Sequence, residues 1–320
     1  MVVLRPSGYV AVQQGRLVVI STLLMLVIIV PVIALTLVFA WRYRASNEAA
    51  PYTPDWDHSI PLELVIWAAP LLIIIALGGL TWIGTHTLDP YRPLTRIDDA
   101  RAVAPQTRPL IIEAVALDWK WLFIYPDLDL AVVNEAAAPI DTPIRFRITS
   151  SSVMNSLFVP ALAGQIYAMP GMETTLHAVV NQPGTYDGFS ANYSGEGFSN
   201  MRFKFRGMSA AEFDRWAQEA KTAGSDLTRS AYLELAKPSE RGPVRRYRSV
   251  ASDLFGAIVN RCVEAGKTCL RETMALDMRR TSSNSPALAL AARANLPGDT
   301  AVCTADNAAR GALLPATYRD

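Results

Sequence analysis

Two stretches without a single charged side chain, Leu17 to Ala40 and Leu64 to Thr85, constrain this chain more than anything else in it. Each exceeds the roughly 20 residues that a helix needs to cross a hydrocarbon core. Two transmembrane helices, over 17–40 and 64–86, are the economical reading. Pro31 and Pro70 interrupt the runs, which would count against helices in water but is tolerated where neighbouring helices satisfy the freed carbonyl. Trp41, Tyr43 and Trp82 sit near the ends, where amphipathic rings favour the membrane interface. A secretory signal fits the first run poorly, since the run is too long and its flank TLVFAWRYR lacks a small-residue cleavage pattern.

Charge is nearly balanced across the first span, with Arg5 and Arg16 before it and Arg42 and Arg44 after it. Economy favours a hairpin whose loop, 41–63, stays inside, leaving the N-terminal arm, 1–16, and the long polar remainder outside. A net charge of +1 over 320 residues excludes a dedicated polyanion binder such as a nucleic-acid protein.

A Pro- and Arg-containing linker, 87–109, leads into short strand patterns: LIIEAVAL, WKWLFIY, IRFRITS at 144–150, TTLHAVV at 174–180 and MRFKF at 201–205. Alternation directs Ile144, Phe146 and Ile148, and Met201, Phe203 and Phe205, toward a core, with their Arg and Lys neighbours toward water. Turn residues punctuate the gaps, so 110–208 reads as an antiparallel β-sandwich or barrel. At Ser209 the period becomes helical, with Ser209 and Glu212 as a capping box and Phe213, Trp216, Ala217 and Ala220 on one face. Further helices are predicted over 226–236 and along Leu254, Phe255, Ile258, Val259 and Cys262, separated by the basic connector KPSERGPVRRYR. This helical region runs over 209–265, and 266–320 reads as a flexible tail. The three cysteines, Cys262, Cys269 and Cys303, form neither a disulfide framework nor a CxxC knuckle. A Cys262–Cys269 bridge in an oxidising compartment requires the preceding helix to stop soon after Cys262.

Ordered words along the chain, FAWRYRASN at 39–47, DWKWLFIYP at 118–126, SSVMNSLFVP at 151–160, QIYAMPGM at 165–172 and PGTYDGFSANYSGEGFSNM at 183–201, carry a family likeness over roughly residues 4 to 260. The chain resembles subunit II of the bo-type ubiquinol oxidases, haem-copper oxidases whose second subunit is related to that of cytochrome c oxidase but lacks its binuclear copper centre. The resemblance implies a membrane α+β protein: a two-helix transmembrane hairpin, a cupredoxin-like β-domain and a C-terminal helical segment. In the copper-bearing relatives a His in the first loop and Cys, Glu, Cys, His and Met in the second hold the metals. The matching positions here are Asn155, Ser190, Asn192, Ser194, Phe198 and Met201, so only the Met survives. A serine hydroxyl is too hard and too weakly acidic to replace a bridging thiolate, and a phenyl ring offers no lone pair. The expectation is a chain that binds no copper.

The same resemblance implies a proton-pumping quinol oxidase of the bacterial inner membrane, with the β-domain and C-terminus periplasmic. Haems and one copper would reside in subunit I, ubiquinol would deliver electrons to that subunit, and cytochrome c would not be a partner. Further small membrane subunits and the lipid bilayer complete the expected surroundings. Glu63, just before the second span, matches the place of an acidic residue associated in this family with the mouth of a proton pathway; by pattern alone it is equally a surface charge ending a helix. Trp119 and Trp121, with Phe123 and Tyr125, recur at period two, and packing explains that stripe, with docking on a partner as a second use. His58, His86 and His177 are far apart and read as structural or interfacial, and Met169, Met172 and Met201 as core filling. Two rival readings stay open: a cytochrome c oxidase subunit II with an altered copper site, and a membrane-tethered cupredoxin-like binding module.

Overall fold

The structure, a computed structural model, describes residues 5–51, 53–104 and 106–284. It divides into two compact units, residues 1–267 and residues 268–320. The first opens with helix α1, Tyr9–Arg42, and helix α2, Ile60–Thr87. Both are long and apolar enough to cross a membrane, and their side chains from Val18 to Ile83 are largely exposed, as expected of surfaces made for lipid or a membrane partner. Threonine hydroxyls within the two helices fold back on the helix, as when Thr22 Oγ1 donates to Val18 O at 2.8 Å and Thr81 Oγ1 to Leu77 O at 2.7 Å, which satisfies them without water. The helices touch where Leu17 lies over Gly84: a Cβ on Gly84 would sit 2.5 Å from Leu17 Cδ1.

The stretch 1–16, expected as an arm, is helical from Tyr9 onward. What precedes the helix is docked: Ser7 N and Gly8 N donate to Ala161 O at 2.8 and 3.0 Å, and Asn181 N donates to Ser7 O at 2.7 Å. Gly8 is required there, because a Cβ would meet Leu162 O at 2.4 Å and Val179 O at 2.5 Å. Arg16 pairs with Asp99 of the linker. The start of α1 and the β-domain therefore lie on one side of the helical hairpin.

The β-domain comprises β1 Leu110–Leu117, β2 Lys120–Tyr125, β3 Leu130–Val133, β4 Glu135–Pro139, β5 Ile144–Ser150, β6 Asn155–Phe158, β7 Ile166–Ala168, β8 Thr174–Ala178, β9 Gly184–Ser190 and β10 Arg202–Met208. After it come α3 Ala210–Ala223, β11 Ser225–Leu227, α4 Arg229–Ala236, β12 Arg245–Val250 and α5 Leu254–Val259. One sheet runs β11-β12-β3-β2-β1-β5-β8 and the other β4-β10-β9-β6-β7. Most pairs are antiparallel, but β1 with β5, β4 with β10 and β11 with β12 are parallel. Between the sheets the alternating residues meet as expected: Ile144, Phe146, Ile148, Met201, Phe203 and Phe205 are all buried in one core. Tyr125 ties the sheets directly, its hydroxyl donating to Ala137 O and accepting from Ala137 N, both at 2.8 Å.

Helix α3 begins at the Ser209/Glu212 capping box and buries Phe213, Trp216, Ala217 and Ala220. Trp216 packs edge-on against Tyr125 at 5.5 Å, and its Nε1 donates to Glu135 Oε1 at 2.9 Å, so the helix is fastened through one ring to both sheets. Three expectations need correction. The connector before α5 ends in a strand, β12, which pairs with β3 at Arg245 opposite Val133; its arginines suit the exposed face of a strand near a sheet edge and hide it from a hydrophobicity pattern. Residues 226 and 227, expected to open a helix, belong to β11, paired to β12. In the second unit the start of the expected tail is helix α6, Leu270–Asn284; the rest of that tail, with Cys303, lies outside the described residues. Helix α5 ends at Val259, and Cys262 and Cys269 are both disulfide-bonded.

Candidate functional site

The two loops that resemble a copper framework come together at one end of the β-sandwich. Asn155 opens β6, Ser190 closes β9, and the loop after β9 returns through a short 3₁₀ turn, Glu196–Asn200, to Met201 and β10. Their backbones are locked: Ser190 N donates to Met201 O at 3.1 Å, Ala191 N to Ser156 O at 3.0 Å and Met201 N to Phe198 O at 3.0 Å.

Of the side chains at the positions that match the copper ligands, Ser190 and Asn155 bond each other, and the Asn155 and Asn192 amides bond the backbone. Ser190 Oγ donates to Asn155 Oδ1 at 3.0 Å, lies 3.3 Å from Asn192 O and accepts from Ser156 N at 3.4 Å. Asn155 Nδ2 donates to Val153 O at 3.1 Å, and Asn192 Nδ2 to Met154 O at 3.1 Å. Asn155 is 1% and Ser190 3% exposed, so these bonds act in a dry setting where an unmade one is expensive. Met201 is fully buried in the core, and Phe198 stacks edge-on with the exposed Tyr193 at 5.6 Å. Ser194 Oγ is buried without a hydrogen-bond partner among the described residues. This donor set of hydroxyls, amides, a phenyl ring and one thioether does not fit a copper pair. Among the described residues no group of three or more His, Cys, Asp or Glu is placed to hold a metal.

Trp119 is not on the β2 face with Trp121. It occupies the turn between β1 and β2 at φ +65°, and its Nε1 donates to Ser194 O at 3.0 Å. The loop bends over its ring at Gly195, φ +106°, and at Gly197, where a Cβ would lie 2.5 Å from Trp119 Cδ2. Trp121 is wholly buried against Phe123 and Phe203. No local pattern announces the strap that crosses this loop: Lys120 Nζ donates to Lys237 O at 2.7 Å and Ser239 Oγ at 2.6 Å, and Asn200 Nδ2 to Glu240 Oε2 at 2.8 Å. Burial pushes the Lys120 ammonium below the usual lysine range.

Glu63 lies in the first turn of α2 and pairs with His58, Nδ1 to Oε1 at 2.6 Å, both side chains about half exposed. His86 sits in the last turn of α2, its Nδ1 2.8 Å from Trp82 O. His177 sits on β8, and its burial, with Arg145 nearby, moves the imidazole pKa below the usual value.

A second cluster was missed altogether. Arg147, expected to face water, grips Glu173 with Nε and Nη2, both at 2.8 Å, and reaches Glu113 Oε1 with Nη1 at 2.6 Å. Phe255 of α5 lies under the guanidinium at 4.9 Å. Glu113 is 6% exposed; burial outweighs the pull of the shared Arg147 and pushes its carboxyl up to about 7.

Two family models match the chain: the cytochrome c oxidase subunit II periplasmic domain over residues 127–207, and the COX aromatic rich motif over residues 221–266. The cytochrome bo(3) ubiquinol oxidase subunit 2 of Pseudomonas putida is 51% identical over 258 residues, 81% of this chain and 79% of that protein. The protein of the same description from Pseudomonas aeruginosa is 50% identical over 261 residues, 82% of this chain and 76% of that one. The ubiquinol oxidase subunit 2 of Acetobacter aceti is 48% identical over 257 residues, 80% and 81% of the two chains.

Proposed function

This chain belongs to the ubiquinol oxidase subunit 2 family, and from that premise we propose that it is the redox-metal-free second subunit of a proton-pumping ubiquinol oxidase in the bacterial inner membrane. The observation that carries this reading is the closed hydrogen-bond network through Asn155 and Ser190, where copper-bearing relatives would need soft ligands. With no metal on this chain, one-electron transfer from a soluble cytochrome has no relay here. A membrane-dissolved quinol instead delivers its electrons to haem in subunit I, and this chain carries none.

Its work is then mechanical and protonic. Helices α1 and α2 brace the large subunit through their exposed apolar faces, the β-domain caps its periplasmic side, and the loop between the helices lies in the cytoplasm. Glu63, hydrogen-bonded to His58 at that loop, is placed to exchange protons with bulk water and hand them to a polar chain in subunit I. Oxygen consumption by the purified complex tests the donor assignment: ubiquinol should sustain turnover and reduced cytochrome c should not. Comparable rates with cytochrome c would overturn it. Glu63→Ala should slow turnover and proton uptake together while subunit and haem content stay unchanged, and unaltered turnover would remove Glu63 from the pathway.

A further inference from the structure

A cavity of about 330 Å³ lies where the helical hairpin meets the β-domain. Its walls come from the start of α1, the end of α2, the linker beyond it, and the edge of the domain at Gly164, Gln165, Leu176 and His177. Gln13 and Gln14 stand four and three residues before Leu17, where the uncharged run of α1 begins, and Thr87 stands two residues after Thr85, where that of α2 ends. At 1.5 Å per residue these groups lie roughly 3–6 Å outside the hydrocarbon. The headgroup layer occupies about 5–8 Å on each side of that core. The cavity is thus at headgroup depth, on the reading that both helices span the bilayer.

Its chemistry is that of an unfilled polar site. The amides of Gln13, Gln14 and Gln165 and the ring of His177 line it, and none of these side chains makes a hydrogen bond among the described residues. Arg92 also lines it; its Nη1 donates to His86 O at 3.2 Å, and its guanidinium makes no ion pair among the described residues. The carboxylate in the lining, Asp89, uses Oδ1 to accept from Tyr91 N at 2.9 Å. Just below, α1 and α2 present exposed apolar side chains such as Val18 and Ile83. An anion held by Arg92 would have the glutamine amides and His177 around it, the Asp89 carboxylate in the same lining and an apolar surface beneath it.

We propose that this cavity binds the phosphate-bearing headgroup of a membrane phospholipid, with the Arg92 guanidinium on the phosphate, the glutamine amides and His177 around the polar remainder, and the acyl chains lying along α1 and α2. The apolar surface below the site favours a lipid over free phosphate, because free phosphate would leave that surface uncovered. The bound lipid would seal the junction between membrane helices and β-domain.

Native mass spectrometry of the detergent-purified oxidase, with extraction of bound phospholipid, tests the proposal on wild type, Arg92→Ala and Arg92→Lys at equal haem content. Wild type and Arg92→Lys should retain a phospholipid through detergent removal. Arg92→Ala should show about tenfold weaker retention, the loss expected for one charge-assisted hydrogen bond. Gln165→Ala, at the exposed domain edge, supplies the same comparison should Arg92→Ala disturb assembly. Equal retention in wild type, Arg92→Ala and Gln165→Ala, a bound quinone in place of phospholipid, or displacement of the lipid by added inorganic phosphate would overturn the proposal. Alkaline carbonate washing of membranes separates this failure from failure of the membrane reading, since a chain that washes out never spanned the bilayer.

Discussion

Replacing Ser190 by Ala removes one hydroxyl and should loosen the whole loop between β9 and β10. In the structure that hydroxyl joins Asn155 Oδ1, Ser156 N and Asn192 O, and both Ser190 and Asn155 are almost wholly buried. Without it, the Asn155 carbonyl oxygen is left dry and unpaired. Such an orphan costs about 1–3 kcal/mol, which raises the local opening equilibrium about 5- to 150-fold. Hydrogen exchange by mass spectrometry on the purified complex reads this directly, because Ser190 N and Ala191 N are themselves bonded across the loop to Met201 O and Ser156 O. Peptides covering 186–201 should exchange faster by that factor, while peptides from β1 and β5 should not change. The double variant Ser190→Ala with Asn155→Ala should cost less than the sum of the two single variants, since each removes the other's unmet partner. Exchange over 186–201 identical to wild type would mean that the hydrogen bonds do not hold the loop, and the argument that they stand where metal bonds would be needed would fail.

Gly197→Ala forces a methyl to within 2.5 Å of Trp119 Cδ2 and 2.7 Å of Glu240 Cγ; a loss of about 1–3 kcal/mol from overpacking should appear as faster exchange over 194–201. Glu113 holds its proton more tightly folded than unfolded, so its contribution to stability is full below about pH 4.5 and is lost as pH rises through about 7. Wild type should therefore lose up to about 3 kcal/mol relative to Glu113→Gln across that interval, measured by denaturant unfolding at a series of pH values; a constant difference would refute the assignment. Ser209→Ala, which breaks the capping box of α3, should cost about 1 kcal/mol and show as faster exchange at the first turn of that helix.

Legibility in the sequence followed the range of the forces involved. The two long apolar helices, the alternating strands β5 and β10 and the capped start of α3 are written in local pattern, and local pattern read them. Strand β12 is not, because RRYRSV becomes a strand only by pairing with β3, far away in sequence. Arg147 sits at a water-facing place in the alternation of β5, yet Glu113 from the neighbouring β1, Glu173 and Phe255 enclose it, and no spacing within β5 announces them. The positions that match the copper loops were legible as residue types. The network among them was not, since whether an Asn and a Ser thirty-five residues apart bond each other depends on how β6 and β9 align. Trp119 was assigned to the wrong face because the period-two pattern runs on through a turn whose positive φ breaks it.

The most direct test of the central claim is the ratio of copper to haem in the detergent-purified complex that contains this chain. A redox-metal-free second subunit predicts about one copper for every two haems, all of it held by subunit I, because hydroxyls and amides do not hold a copper pair. About three coppers for every two haems would place a binuclear centre on this chain and contradict the account.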